Sequence, residues 1–345
     1  MCDRPSVGAG NGDPMTTSGV IQELTATGLE ESPKAEQAER RRKQRGGRRP
    51  SFTMFLVIVP FLVLIFLFSY FPLYGWIYSL YDYKPALGLQ GSEFVGLQWF
   101  QLLVGSPTQV AQIGQVLLNT LAISFLGIAT SVLPLAFAIF LNEVKAPWFR
   151  GAVQTLTTLP NFISWVLVYM IAFSLFSSTG LVNGVLSDMG LITVPVKFLD
   201  SDENVWITMT LWSVWKGLGW GAIIYLAAIS GIDRELYEAA EIDGAGRFQR
   251  MWYITVPQLM PTYIVLLLLS VANLLNNGME QYYVFQNAFN KEHIQVLDLY
   301  VYNIGMTGNN LSMATAIGML KSLISVALLF TVNGIAKRVR GQSIV

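Results

Sequence analysis

The stretch on which the reading of this chain turns is Glu238-Ala239-Ala240-Glu241-Ile242-Asp243-Gly244-Ala245-Gly246, which runs on to Ile254-Thr255-Val256-Pro257. It is a short charged island between two apolar runs, residues 205–232 and 263–275. Asp233 can cap a helix start, because its carboxylate accepts from the unpaired N–H groups of a first turn. Residues 234–242 then hold helix formers without Gly or Pro. Gly244 and Gly246 allow a turn through positive φ, and residues 247–253 can resume as a second short helix. Pro257 and Pro261 fall where that element is expected to bend into the next apolar run.

Around the island the chain is too apolar for an ordinary soluble domain, with 53% hydrophobic and 13% charged residues in a total of 345. The formal net charge is zero, so the overall balance does not point to nucleic acid. A single cysteine, Cys2, rules out an intramolecular disulfide. With one histidine, His293, neither a Cys/His zinc site nor a Cys–His nucleophile can be assembled. No G-x-x-x-x-G-K-[ST] loop is present, so the chain lacks its own cradle for nucleotide phosphates.

Residues 1–50 are polar and end in Arg40-Arg41-Arg42-Lys43-Gln44-Arg45 and Arg48-Arg49. We read them as a disordered basic tail abutting a membrane span, a topogenic anchor rather than a nucleic-acid patch. Residues 51–345 form a membrane domain. Residues 52–80 carry no charge and are long enough to cross a ~30 Å hydrocarbon core. Further spans are expected at 116–141, 152–176, 205–232, 259–277 and 313–336, giving an all-α polytopic protein with six transmembrane helices. The Lys and Arg residues orient it. Between spans, only Lys84, Lys197 and Lys291 fall on the side away from the basic tail, and only Lys216 and Lys321 fall within spans. The positive-inside rule therefore places both termini and the 233–257 island in the cytoplasm.

The island resembles the EAA loop of permeases in ATP-binding-cassette importers. That pattern runs E-A-A, two residues, D-G-A, then I-x-L-P, and here Val256 replaces Leu and Met251 stands where Phe is usual. The resemblance implies that Glu238, Ala239, Ala240, Asp243, Gly244 and Ala245 contact an ATPase subunit. It also implies a second permease subunit, two ATPase subunits and an extracytoplasmic solute-binding protein in a bacterial inner membrane. ATP and Mg would be used by the ATPase subunits, with no cofactor bound by this chain. Tyr70-Phe71-Pro72-Leu73-Tyr74-Gly75, Trp215-Lys216-Gly217-Leu218-Gly219-Trp220 and Ala314-Thr315-Ala316-Ile317-Gly318 resemble the polysaccharide and complex-oligosaccharide branch, alginate importers included.

Charges inside a membrane are functional candidates by default. Lys216 and Lys321 are expected at similar depth, able to project into one hydrated cavity, with no acidic residue inside any span to pair them unless Glu280 folds in. Hydrogen bonding of each lysine to backbone carbonyls or a partner residue is the competing use. The family position matching Lys321 is commonly Gln. Two unneutralised lysines would favour an acidic oligosaccharide. Gly217 and Gly221 allow close helix packing, with a bend in that helix as the other reading. Trp212, Trp215, Trp220 and Tyr225 can stack on sugar faces or pack the bundle. Asn273, Asn276 and Asn277 are costly against lipid and are expected to face inward, toward ligand hydroxyls.

Two other classes fit less well. An ion-coupled carrier would show intramembrane acids or an inverted repeat, and a membrane-embedded enzyme would show His, Cys or paired carboxylates.

Overall fold

A computed structural model describes residues 52–340. The expected basic tail, residues 1–50, lies outside the described residues. The described chain divides after Phe71. In the first unit, α1 (Phe52–Ile65) carries Pro60 in its interior and passes into a π-helical turn, Phe66–Tyr70. The second unit opens on a 3₁₀ segment that ends at Leu80.

A minimal antiparallel pair follows, β1 (Tyr81–Asp82) with β2 (Glu93–Phe94), Tyr81 opposite Phe94. Next come α2 (Gln98–Gly105), α3 (Pro107–Thr130) and α4 (Val132–Asn142). Pro107 sits in the first turn of α3, where a missing N–H leaves no bond unmade. Beyond α5 (Pro147–Thr158) the chain breaks through the 3₁₀ turn Leu159–Phe162. It restarts at Ser164, whose Oγ accepts from Leu167 N–H at 3.4 Å to cap α6 (Trp165–Phe176). The continuous span expected over 152–176 is therefore two helices. Pro160 has no N–H to continue α5, and Ser164 offers a new start.

α7 (Leu181–Asp188) precedes α8 (Val205–Ser230), a long unbroken helix rich in Trp and Gly. α9 (Arg234–Ile242) leaves it at a bend of 71°. α10 (Arg247–Arg250), a π-helical turn (Met251–Thr255) and α11 (Val256–Ala272) follow as one helical run. The expected bend at Pro257 is absent. Val256 N–H bonds Met251 O, five residues back, and the π turn absorbs the donor that Pro257 lacks. The fifth span thus starts at Arg247 and ends at Ala272, ahead of the expected 259–277. The chain closes with α12 (Glu280–Phe285), α13 (Lys291–Ile294), α14 (Leu297–Tyr302), a π turn (Asn303–Thr307) and α15 (Leu311–Arg340).

By length and composition, Phe55–Leu80, Pro107–Asn142, Trp165–Asp188, Arg247–Ala272 and Leu311–Arg338 can each cross a membrane, and α8 joined to α9 supplies a sixth span. α8 is the organising helix of the second unit. A Cβ on Gly219 would lie 2.4 Å from the Thr157 carbonyl, so α8 and the end of α5 meet backbone to backbone. A Cβ on Gly221 would stand 3.2 Å from the Pro134 ring of α4. Packing, and no bend, is what these two glycines serve.

Among the described residues, buried apolar side chains form three groups. One, with Val168, Met209, Phe285 and Leu299, gathers α6, α8 and the 280–299 segment. A second, with Leu135, Ala138, Leu226 and Leu259, joins α4, α8 and α11. The third, with Val116, Tyr300 and Ile317, joins α3, α14 and α15. Asn119 ties the first group to the third. Its Nδ2 donates to Glu292 O at 2.8 Å and Gln295 O at 3.1 Å, while its Oδ1 accepts from Trp206 Nε1 at 3.3 Å.

Candidate functional site

The charged island folds as a helix, a glycine turn and a second helix. Asp233 Oδ1 accepts from Glu235 N–H at 3.0 Å and starts α9 as its sequence predicts. Gly244 has φ +77°. Around it Gly244 N–H bonds Glu241 O at 3.1 Å and Ala245 N–H bonds Ala240 O at 2.9 Å, the paired reverse bonds of a Schellman stop. Gly246 does not use its freedom. Its φ is −70°, and its N–H donates to Gln249 Oε1 at 2.7 Å to begin α10.

The element is braced on three sides. Arg250 Nη1 meets Glu241 Oε2 at 2.9 Å, across the turn. Arg247 Nε meets Glu143 Oε2 at 3.1 Å, beyond the end of α4. The hydroxyls of Tyr237 and Thr255 share a hydrogen bond of 2.9 Å. Exposed ion pairs such as Arg247–Glu143 contribute little individually, at most ~1 kcal/mol. Their role is to fix direction. Glu238 and Ala239 face outward, and Ala240 is half-buried. Ile242, Phe248, Trp252 and Tyr253 expose 87%, 78%, 69% and 75% of their surfaces, an apolar patch on an otherwise charged element. Reading the sequence for polarity missed this patch. The spacing of Phe248, Trp252 and Tyr253, four and five residues apart, was the available signal.

Deeper in the second unit lies a cavity of about 320 Å³ between α3, α4, α8 and the break after α11. Its wall is Ser124, Thr130, Ser131, Thr210, Ser213 and Asn277, with Gly217 opening space on α8 and Tyr282 closing one side. Several hydroxyls have already committed their protons. Ser124 donates to Leu274 O at 2.6 Å, Thr130 to Leu126 O at 2.8 Å, Thr210 to Trp206 O at 2.7 Å and Ser213 to Gln281 Oε1 at 2.6 Å. Each keeps a lone pair, so these hydroxyls add uncharged acceptors for ligand O–H groups to a wall that Ile123, Pro134, Val214 and Leu218 make mostly apolar. Asn277 Nδ2 donates to Ser124 Oγ at 2.9 Å. Burial pushes the Tyr282 phenol above its ordinary range, and a hydrogen bond with Asn277 works against that rise.

Of the residues singled out for a ligand path, Asn277 alone lines this cavity. Asn273 is exposed at the end of α11, its Nδ2 donating to Leu269 O at 2.9 Å, and Asn276 donates to Asn273 Oδ1 at 3.3 Å. These amides satisfy a helix end that falls five residues earlier than the sequence suggests. Tyr225 is 4% exposed within the α4–α8–α11 core and does not reach the cavity wall. Trp212 packs on Phe176, Phe285 and Trp215, and Trp220 on Phe162, so these rings serve packing.

The two lysines do not share a cavity. Lys216 Nζ donates to Asn161 O at 2.8 Å and Pro160 O at 3.2 Å, with its charge 5.4 Å from the Trp165 ring centroid. Glu280 is exposed at the start of α12. Lys321 pairs with Asp298. The expected lack of a pairing acid is thus overturned for Lys321, although no acid inside a span supplies it. Asp298 comes from α14, a short helix outside the spans that folds back against α15. With it goes the shared field of two unneutralised lysines from which an acidic ligand was argued, since Lys321 is paired and Lys216 is held by backbone carbonyls.

Comparison with known proteins places the chain. Residues 131–341 match the family described as binding-protein-dependent transport system inner membrane component. Protein LplB of Bacillus subtilis (strain 168) is 37% identical over 287 residues, which is 83% of this chain and 88% of that one. The polygalacturonan/rhamnogalacturonan transport system permease protein YteP of the same organism is 38% identical over an equal length, with the same coverage. Among solved structures, a bacterial alginate ABC transporter in complex with alginate pentasaccharide-bound periplasmic protein contains a similar chain. It has a TM-score of 0.74 and 30% identity, covering 85% of this chain and 96% of that one. The chain is a multi-pass membrane permease of the binding-protein-dependent transport family.

Proposed function

We propose that this chain forms one half of the translocation path of an ATP-binding-cassette importer for an oligosaccharide. The observation that carries the reading is the braced helix–turn–helix at 233–257, which joins the fourth and fifth spans and presents small residues at its turn beside the exposed side chains of Ile242, Phe248 and Trp252. A groove on an ATPase subunit would cover Ile242, Phe248 and Trp252, while Glu238, Ala239, Ala240, Asp243, Gly244 and Ala245 permit close approach at the turn.

In this reading both termini and the 233–257 element lie in the cytoplasm, as the Lys and Arg distribution favours. A second permease subunit completes the path. Two ATPase subunits bind ATP and Mg, an extracytoplasmic binding protein delivers the ligand, and lipid surrounds the spans. Closure of the ATPase pair moves the element as a rigid lever because its turn and ion pairs resist bending. The spans then alternate between inward and outward access. The cavity beside Ser124, Ser213 and Asn277 is the ligand path, its apolar wall with a few placed hydroxyls and an amide matching the apolar faces and polar rim of a sugar. The names of relatives that carry polygalacturonan or alginate support the same class of ligand.

The test is reconstitution. Proteoliposomes holding the assembled complex should take up oligosaccharide with its binding protein when ATP is enclosed, and not under an ion gradient alone. Uptake driven by the gradient without ATP would assign the chain to the carriers.

A further inference from the structure

Three segments that the sequence separates meet at the break after α11. Gly278 turns the chain with φ +73°, and its N–H donates to Asp298 Oδ2 at 2.9 Å. The other oxygen of that carboxylate, Oδ1, holds Lys321 Nζ from the middle of α15. The side chains of Lys321 and Asp298 are 14% and 22% exposed. Charges so placed persist only as a pair, since removing one leaves the other desolvated. The residue before Gly278 is Asn277, whose amide meets Ser124 on the cavity wall. Lys321 itself is absent from that wall, and its ammonium already has a carboxylate partner.

We propose that Asp298 and Lys321 form a positioning pair. They anchor the Gly278 turn and so hold the Asn277 amide against the cavity, setting ligand affinity without touching the ligand. The effect on transport rests on the ligand-path reading of the cavity; the anchoring of residue 277 does not. The carboxylate carries both tasks, one oxygen for the lysine and one for the backbone. Neutralising the pair while keeping an acceptor should therefore be mild, and removing the acceptor should not.

Two double variants separate these effects in the assembled transporter. Asp298→Asn with Lys321→Gln is neutral and keeps an oxygen for Gly278 N–H. Asp298→Ala with Lys321→Gln is equally neutral and loses it. In a Cys2→Ser, Asn277→Cys background, a small methanethiosulfonate reagent reports the placement of residue 277 without any ligand. The alanine pair should change the modification rate by about fivefold or more, the equivalent of one hydrogen bond, and the asparagine pair by less than about twofold. A control at Ser187→Cys, exposed on α7 and outside the contacts of the Gly278 turn, should stay within about twofold in both, as expected for an uncoupled site. An unchanged rate at position 277 in the alanine pair, or an equal change at position 187, overturns the proposal.

Uptake of a galacturonate oligomer and of a neutral oligomer of equal length, in chains with native Asn277, gives the second arm. Half-saturation should rise by the same factor for both in the alanine pair. A rise confined to the galacturonate oligomer would make Lys321 a ligand contact and overturn the proposal. Should the native complex carry neither oligomer, the ligand-path reading fails, while the modification rates still decide the positioning claim.

Discussion

Lys216 Nζ donates to the carbonyl of Asn161 at 2.8 Å, so the lysine of α8 closes the broken end of the helix run beside it. Pro160 O, at 3.2 Å, shares the same ammonium. The break between α5 and α6 leaves carbonyls without helical donors, and a cation brought by the neighbouring helix supplies them. Replacing Lys216 with Met should therefore cost stability, ~1–3 kcal/mol, chiefly for the Asn161 carbonyl, since Pro160 O keeps the Ile163 N–H at 3.2 Å. The expected readout is a lower Tm of the purified assembly, with the uptake ratio of uronate to neutral oligomers unchanged. A shifted ratio at unchanged Tm would return Lys216 to the ligand path.

The glycines of α8 divide by position. Gly219→Ala would drive a Cβ to 2.4 Å from the Thr157 carbonyl, and the backbones must separate. Overpacking of this kind costs ~1–3 kcal/mol, so little assembled protein should be recovered. Gly217→Ala meets nothing within 4 Å and should assemble normally, while its methyl group narrows the cavity. Equal yields from the two variants would contradict the packing described for α8.

Asn273 and Asn277 make a second contrast. Asn277→Ala should raise the half-saturation concentration for uptake by about tenfold, through loss of a wall amide. Asn273 bonds its own helix and is exposed, so Asn273→Ala should change it by less than about twofold, as is usual for a surface substitution. Equal effects would remove the cavity from the ligand path.

Much of this architecture was legible in the chain. The run Asp233 to Gly244 encodes its own fold, because a carboxylate cap, uninterrupted helix formers and an obligatory glycine are local signals. The six apolar runs were equally plain. What escaped depended on contacts between distant segments. Asp298 sits in a stretch that reads as an outer loop, and nothing local announces that it reaches Lys321. The break at Pro160 was hidden inside an apolar run because hydropathy does not register a missing N–H. The helix end at Ala272 was masked likewise, since the residues beyond it remain apolar between their amides. Tyr225 read as a ring for packing or for sugar stacking, and only the packing of α4 and α11 around it shows that it belongs to the core.

Orientation is open to direct measurement. With Cys2 replaced by Ser, cysteines introduced by Ser187→Cys and Asn309→Cys should react with an impermeant reagent added to sealed cells. One introduced by Ser343→Cys should not. Modification at 343 from outside would reverse the placement of the termini and remove the 233–257 element from the cytoplasm.

The central claim is that the helix–turn–helix around Gly244 transmits ATP-driven motion to the spans. Gly244 holds φ +77° with nothing within 4 Å of where its Cβ would stand, so the turn needs its backbone freedom and not its small volume. Proline there fixes φ near −65° and removes the N–H that bonds Glu241 O. The decisive measurement is ATP-dependent oligosaccharide uptake by the Gly244→Pro complex, with assembly of all subunits checked in the same preparation. The account predicts an assembled complex that no longer transports. Near-native uptake by an assembled Gly244→Pro complex would contradict it.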